Sequence, residues 1–119
     1  MSITYEEAAA WLARHDAAFK AASMDDIIND YAADAVLEVH TGGVVLEFRG
    51  HEEILAALMS SNALGIETKA ERVMVSGNKI FMQVVDANGY TLIASVWEVD
   101  GDKITHDVAV IPAAPEANR

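Results

Sequence analysis

The sequence predicts an α+β domain in which helices pack on one face of a curved antiparallel sheet. Near the N-terminus, apolar residues recur with the 3.6-residue period of a helix. In the second half, apolar and polar residues alternate with the two-residue period of strands. Three turn signals, Gly77-Asn78, Asn88-Gly89 and Asp100-Gly101, divide that half into four consecutive antiparallel strands. The helical and strand segments are therefore expected to form separate layers.

Two helices are predicted before the first strand. Thr4 followed by Glu7 is a capping-box pattern, which begins a helix that extends to about Ala22. Ser23 and Asp26 repeat this pattern and begin a short second helix over MDDIINDYAA. Its inward side is formed by Ile27, Ile28 and Tyr31.

A hairpin and a third helix follow. From Asp34 onwards, AVLEVH alternates apolar and polar residues, and VVLEFR follows a turn at Thr41-Gly42-Gly43. These segments predict two paired strands. Gly50 is predicted to cap a third helix, with Glu53 at its N3 position.

The rest of the sequence predicts four strands and a C-terminal tail. The strand segments are IETKAERVMVS, KIFMQVVDA, YTLIASVWEV and KITHDVAVI. The tail PAAPEANR contains prolines and small residues without an apolar period, which is typical of a flexible end. We therefore predict a single domain over residues 1–112 and a flexible C-terminal tail over residues 113–119.

The composition of the chain limits the classes of partner that it is expected to bind. The 119 residues include 8 basic and 19 acidic side chains, and the net charge of -11 disfavours nucleic acids and anionic membrane surfaces. There is no cysteine, no basic N-terminal leader pattern, and no apolar run of the roughly 20 residues that a membrane span needs. We expect a soluble, cytoplasmic protein with no membrane partner.

His15 is the unusual residue of the first helix. Trp11, His15 and Phe19 are four residues apart, so they share one otherwise apolar helix face that is expected to point inward. A buried imidazole without a hydrogen-bond partner costs about 1 to 3 kcal/mol. His15 is therefore expected to meet a polar group in the interior.

Three passages carry a resemblance to a known superfamily. They are DDIINDYAADA within residues 25–35, FRGHEEI over residues 48–54, and WEVDGDKI over residues 97–104. Together with the element order they resemble the NTF2-like superfamily, and within it the SnoaL-like and ketosteroid isomerase-like group, over nearly the whole chain. The resemblance implies an NTF2-like (cystatin-like) cone, in which a curved sheet wraps around three helices and encloses a pocket. It also implies a homodimer.

The resemblance to ketosteroid isomerases argues against that activity here. Their hydrogen-bonding tyrosine falls at His15, their general-base aspartate at Val39, and their protonated aspartate at Ser95. Valine cannot transfer protons and serine is a weak donor. Authentic steroid isomerase activity is therefore not expected.

The same matching predicts which side chains face the pocket. The inward sets are Leu37, Val39 and Thr41; then Thr91, Ile93, Ser95 and Trp97; and finally Thr105, Asp107, Ala109 and Ile111, since strand side chains alternate. Glu38 and His40 are expected outside. Leu92, Ala94 and Val96 are expected on the convex face, where they would form the dimer interface.

Asp107 is the one carboxylate that this register sends into the pocket. A buried charge is tolerated when it is paired, so we expect His15 and Asp107 to pair directly or through water. Burial would raise the pKa of Asp107, whereas His15 would lower it. A shift of one residue would place His106 inward instead.

These residues predict a SnoaL-like enzyme that performs cofactor-independent acid/base chemistry on a small, apolar, cyclic ligand. The reaction would be isomerisation, cyclisation, dehydration or epoxide opening, with His15 and Asp107 as the catalytic pair. Predicted ligand-binding residues are Trp11, Phe19, Leu37, Val39, Phe48, Thr91, Ser95, Trp97 and Ala109. No metal or cofactor is predicted, because no metal-ligand spacing occurs. The alternative is a non-catalytic ligand-binding or assembly module of the same superfamily.

Overall fold

The computed structural model describes residues 2–60 and 64–113 of the 119-residue chain. These residues form three helices and six strands, and the strands belong to one sheet in the order β2-β1-β6-β5-β4-β3. The predicted α+β architecture is confirmed. Residues 114–119, most of the predicted tail, lie outside the described residues.

Helices α1 and α2 cover Tyr5–Lys20 and Met24–Asn29. The capping box at the start of α1 is confirmed, because Thr4 and Glu7 exchange hydrogen bonds of 3.0 and 3.1 Å. The second helix is shorter than predicted, and Tyr31 begins a strand instead of lying on the helix. Strand pairing ends the helix here: Tyr31 is in register with Ile104, whose N–H donates to the Asp30 carbonyl at 2.7 Å.

Strands β1 (Tyr31–Thr41) and β2 (Val44–Arg49) form the predicted hairpin. Its turn places Gly42 and Gly43 at φ values of 57° and 80°, in the left-handed region that glycine adopts without strain. Helix α3 covers Gly50–Met59, and its N-cap is Arg49 rather than the predicted Gly50. The Arg49 N–H donates to Glu53 Oε1 at 2.9 Å, so Glu53 contributes to the cap from one residue further into the helix than predicted.

The second half is the predicted meander of β3 (Lys69–Ser76), β4 (Lys79–Val85), β5 (Thr91–Asp100) and β6 (Lys103–Val110). Neighbouring strands within it are antiparallel. One pairing departs from an all-antiparallel sheet, since β1 and β6 run parallel. These two strands are far apart in the sequence, so no hairpin constrains their relative direction.

Two bulges change which side chains face inward. Between Glu98 and Val99 of β5, the partner strand β6 contains one extra residue, Thr105, whose hydroxyl donates to the Glu98 carbonyl. Ile104 is fully buried, whereas Thr105 does not line the interior cavity. The prediction that Thr105 faces the pocket is therefore wrong. Similarly, Leu92 is an extra residue of β5 and lines the cavity, although it was predicted on the convex face.

The core lies between the helices and the sheet. Its fully buried large side chains include Ile27, Ile54, Ile80, Met82 and Ile104. Each such side chain contributes about 1.5 to 3 kcal/mol of hydrophobic stabilisation. No described helix is long and apolar enough to cross a membrane. The predicted location in the cell stays a prediction.

Candidate functional site

A cavity of about 1000 Å³ lies between helices α1 and α3 and the concave face of the sheet. Its volume is at the upper end of the range of small-molecule sites. Most of the side chains that line it are apolar, and a few polar ones lie among them, including His15, Ser95 and Asp107. This combination can hold an apolar molecule and orient one polar group on it.

Most of the predicted ligand-binding side chains line this cavity. They are Phe19, Leu37, Val39, Phe48, Ser95, Trp97 and Ala109. Trp11 and Thr91 are buried but are not among the lining residues. Trp11 packs edge-on against Trp97 with ring centroids 5.5 Å apart, and Thr91 lies beyond the bulge at Leu92. Neither is placed to touch a ligand.

Asp107 lies on the concave side of β6, as the predicted register required. It is 5% exposed and lines the cavity. The Tyr31 hydroxyl donates to its Oδ2 at 2.7 Å, while its Oδ1 has no hydrogen-bond partner among the described residues. A buried carboxylate oxygen without a partner is costly, so a ligand donor or a proton is the expected partner of Oδ1.

The environment of Asp107 favours its neutral form. Burial raises the pKa of this carboxyl group from 3.8 to about 6, because a charge is poorly solvated in the interior. The hydrogen bond from Tyr31, the nearby His15 and His106, and the Trp97 indole all lower the pKa, but together they do not offset burial. Asp107 therefore exchanges its proton closer to neutral pH than an ordinary aspartate.

His15 faces the same cavity but has a different partner from the one predicted. Its Nδ1 lies 2.7 Å from Asp30 Oδ2, and no hydrogen bond joins it to Asp107. The expected direct pairing with Asp107 is therefore wrong, because Asp30 at the end of α2 takes that role. Pairing through water stays a prediction. The imidazole packs against Phe19, Tyr31 and Trp97, with ring centroids 5.0, 6.4 and 4.9 Å away. These contacts fix its orientation.

The bond to Asp30 sets the tautomer of His15. A carboxylate accepts hydrogen bonds, so we assign a proton to Nδ1. Asp30 is itself not among the cavity-lining residues, and its side chain is 21% exposed. Nδ1 therefore points to the carboxylate behind the ring, and Nε2 is the nitrogen left for a ligand.

Sequence reasoning missed Asp30 and Tyr31 as parts of the site. Both were assigned to the second helix, and the parallel pairing of β1 with β6 brings Tyr31 next to Asp107. One signal was present. Asp30 lies at the C-terminal end of α2, where the helix dipole disfavours a negative charge, and a carboxylate there suggests a specific partner.

Asp16 is another acidic residue of the cavity that was not predicted. Its Oδ2 accepts the Ala70 N–H at 3.0 Å, and its side chain lines the cavity beside His15. Burial raises the pKa of its carboxyl group, although the bonds to Ala70 and Thr68 and the nearby His15 lower it. A carboxylate at this position adds negative potential to the cavity.

His106 faces the opposite side of the sheet from Asp107. Its Nε2 lies 3.5 Å from Glu38 Oε1, and His40 Nε2 lies 3.0 Å from the other oxygen of Glu38. Glu38 and His40 are therefore outside the cavity, as predicted. Within residues 2–60 and 64–113, no group of three or more histidine or acidic side chains is arranged to hold a metal ion.

The fold is that of NTF2-like, SnoaL-like and ketosteroid isomerase-like proteins. A SnoaL-like protein of unknown function from Burkholderia thailandensis matches with a TM-score of 0.78 and 16% identity, over 95% of this chain and all of its own. An LEH-like epoxide hydrolase from M. tuberculosis matches with a TM-score of 0.65 and 19% identity, over 92% of this chain and 86% of that one.

A third match is a protein with a ketosteroid isomerase-like fold from Catenulispora acidiphila, whose crystal structure contains trimethylamine. It has a TM-score of 0.69 and 15% identity, and the match covers 88% of this chain and 87% of that one. No protein-family model and no curated protein matches the sequence. At these identities the likeness shows the fold alone.

Proposed function

We propose that the chain is a SnoaL-like enzyme that performs cofactor-independent acid/base chemistry on a small, largely apolar, cyclic molecule. The observation that carries this proposal is the buried Asp107 carboxyl group, whose Oδ1 has no partner among the described residues and whose pKa is about 6. It lies in a cavity large enough for such a molecule. Strongly shifted carboxyl groups in cavities are typical of general acids and bases.

Asp107 is the proposed base. The Tyr31 hydroxyl occupies Oδ2, so Oδ1 is the atom that exchanges a proton with the ligand. At neutral pH a group with a pKa of about 6 is mostly ionised and is a stronger base than an ordinary aspartate. Oδ1 would remove a proton from a carbon next to a carbonyl, or from a water molecule that opens an epoxide ring.

His15 is the proposed donor or orienting group. Its Nδ1–H is held by Asp30, which leaves Nε2 for the ligand. In the protonated imidazole, Nε2–H would donate to the oxygen on which negative charge develops when Asp107 takes a proton. Ser95 supplies a further hydroxyl in the cavity for positioning, whereas Thr91, the other residue predicted for this role, does not line it.

We also propose that the protein works as a homodimer formed through the convex face of the sheet. Val96 and Val110 are exposed there, on the central strands β5 and β6. Val45 on β2 is also exposed, on the far side of His40 of the intervening strand β1. Apolar surface at the centre of a sheet face is expected to be covered in solution.

A substrate panel tests the enzyme proposal. Enolisable cyclic ketones and epoxides are incubated with the wild-type protein, with Asp107→Asn, and with Asp102→Asn, which alters an exposed turn outside the cavity. We expect at least one compound to be converted, with a loss of about 100-fold or more in Asp107→Asn and none in the control. Binding without conversion of any compound would instead support the non-catalytic ligand-binding module.

A further inference from the structure

Apart from the titratable imidazole of His15, the ionisable side chains among the described lining residues that carry charge at neutral pH are acidic. The described lining residues of the cavity include Asp16, Glu47, Glu53 and Asp107, and no lysine or arginine. Glu47 lies opposite Glu38, on the other face of the hairpin from the cavity, and pairs with Arg49, which leaves Asp16, Glu53 and Asp107 as the acids of the cavity. The whole chain has a net charge of -11, so its overall potential is also negative. A ligand that enters this cavity therefore meets negative charge in an apolar surrounding, where electrostatic interactions are stronger than in water.

Arg49 compensates Glu47 but not the other acids. Arg49 is not a lining residue, and its guanidinium already binds Glu47 at 2.6 Å. Asp16 and Glu53 are held in place by backbone donors, the N–H groups of Ala70 and Arg49. The donors to these carboxylates are neutral amides, which do not cancel the charge of an ionised carboxylate. Asp16 is half-buried, whereas Glu53 is exposed and its charge is screened more strongly by water.

Asp107, which is buried in the cavity, also disfavours an anionic group on the ligand. Its Oδ1 is buried and without a partner among the described residues, so it is free to accept a hydrogen bond from a ligand or to give up a proton to it. An anionic group placed against it would add a second negative charge to a site that already disfavours the first. A neutral carbonyl, hydroxyl or epoxide group does not have this cost.

We propose that the cavity selects organic molecules that lack an anionic group, and that Asp16 and Glu53 are specificity-determining residues which exclude carboxylate, sulfonate and phosphate ligands. This inference rests on the proposed function, because the substrate occupies the same cavity. It narrows the substrate class: an uncharged compound binds, and an analogue that carries an anionic group does not.

Two dyes of nearly the same skeleton test the selection. Phenylnaphthylamine is uncharged, whereas anilinonaphthalene sulfonate adds one sulfonate group, and both become fluorescent in apolar sites. We expect the wild-type protein to bind the uncharged dye at least about tenfold more tightly, the ratio that corresponds to about 1.4 kcal/mol. Fluorescence titration of each dye measures the two dissociation constants.

Matched variants assign the effect to the two carboxylates. Asp16→Asn combined with Glu53→Gln removes two charges but keeps an oxygen that can accept from Ala70 and Arg49. Glu98→Gln combined with Asp102→Asn removes two charges outside the cavity. We expect the preference for the uncharged dye to fall several-fold in the first pair and to stay unchanged in the second.

The outcomes separate this inference from the proposed function. Equal binding of both dyes, or an equal change of the preference in both double variants, overturns the charge selection. If Asp107-dependent turnover is found in the same experiments, the proposed function stands without the charge selection. If neither dye binds the wild-type protein, the cavity does not accept aromatic ligands of this size and the inference is overturned, whereas the substrate panel still decides the proposed function.

Discussion

The hydroxyl of Tyr31 donates a hydrogen bond to Asp107 at 2.7 Å, and this bond joins strand β1 to strand β6. Both side chains are buried, and they lie on strands that run parallel. The bond leaves the other oxygen of Asp107, Oδ1, buried and without a partner among the described residues. The chemistry proposed for this protein depends on that arrangement.

Asp107 is expected to reduce the stability of the folded protein at neutral pH. A carboxyl group whose pKa is raised by folding stabilises the protein when protonated, and this contribution is lost as the pH rises from about 4 to above 6. The difference between 3.8 and about 6 corresponds to about 3 kcal/mol. Asp107→Asn, whose amide oxygen can still accept from Tyr31, should therefore stabilise the protein at about pH 8 by about 1 to 3 kcal/mol.

Urea unfolding of the wild type and Asp107→Asn at about pH 4 and pH 8 measures this effect. The gain in the free energy of unfolding should be present at the higher pH and nearly absent at the lower one. A variant that is less stable than the wild type at the higher pH would contradict a buried, unfavourable charge at this position.

Tyr31→Phe is expected to raise the pKa of Asp107 above its wild-type value. The hydrogen bond from Tyr31 stabilises the charged carboxylate and lowers the pKa, so its removal acts in the opposite direction. If Asp107 is the base, the acidic limb of the pH–rate profile should move upward by the same amount. Tyr90→Phe, outside the cavity, is the matched control and should leave the profile unchanged.

Asp30 is expected to act through His15 as a positioning residue. In the wild type the proton of the neutral imidazole should lie on Nδ1, toward Asp30. Asp30→Asn replaces a charge-assisted bond with a weaker neutral one, so the population with the proton on Nε2 should increase. Nitrogen NMR of the His15 ring reports the tautomer directly. An unchanged tautomer together with unchanged activity would assign Asp30 no role in the site.

The convex face is expected to hold two copies together. Val96→Lys places a charge at the centre of this face and should convert a dimer to a monomer, with the cavity still able to bind the uncharged dye. Met59→Lys adds the same charge at an exposed position on α3 and should leave the dimer intact. Light scattering after size-exclusion chromatography gives the mass. A monomeric wild type would contradict the proposed interface.

Local patterns were sufficient to predict most of the fold. The capping box of Thr4 and Glu7, the turn dipeptides and the strand alternation are all properties of neighbouring residues, and the structure contains the elements that they predict. The matching to the superfamily, extended along the strand by alternation, also placed Asp107 on the concave side of β6. It failed at Leu92 and Thr105, because a bulge inserts one residue and its position depends on the partner strand.

The partners within the site were harder to predict. His15 was expected to meet a buried polar group, but its partner proved to be Asp30 rather than Asp107. Tyr31 reaches Asp107 because β1 pairs with β6 across most of the chain. No periodicity in one segment encodes the direction of such a long-range pairing, so the two side-chain pairs could be identified only once the sheet was known.

The titration of the Asp107 carboxyl group is the most direct test of the account. Carbon NMR of this side chain, assigned by its loss in Asp107→Asn, gives the midpoint in the intact protein. We expect a midpoint at about 6. A midpoint near the ordinary value of 3.8 would show a well-solvated carboxylate and would contradict the role of Asp107 as a tuned base.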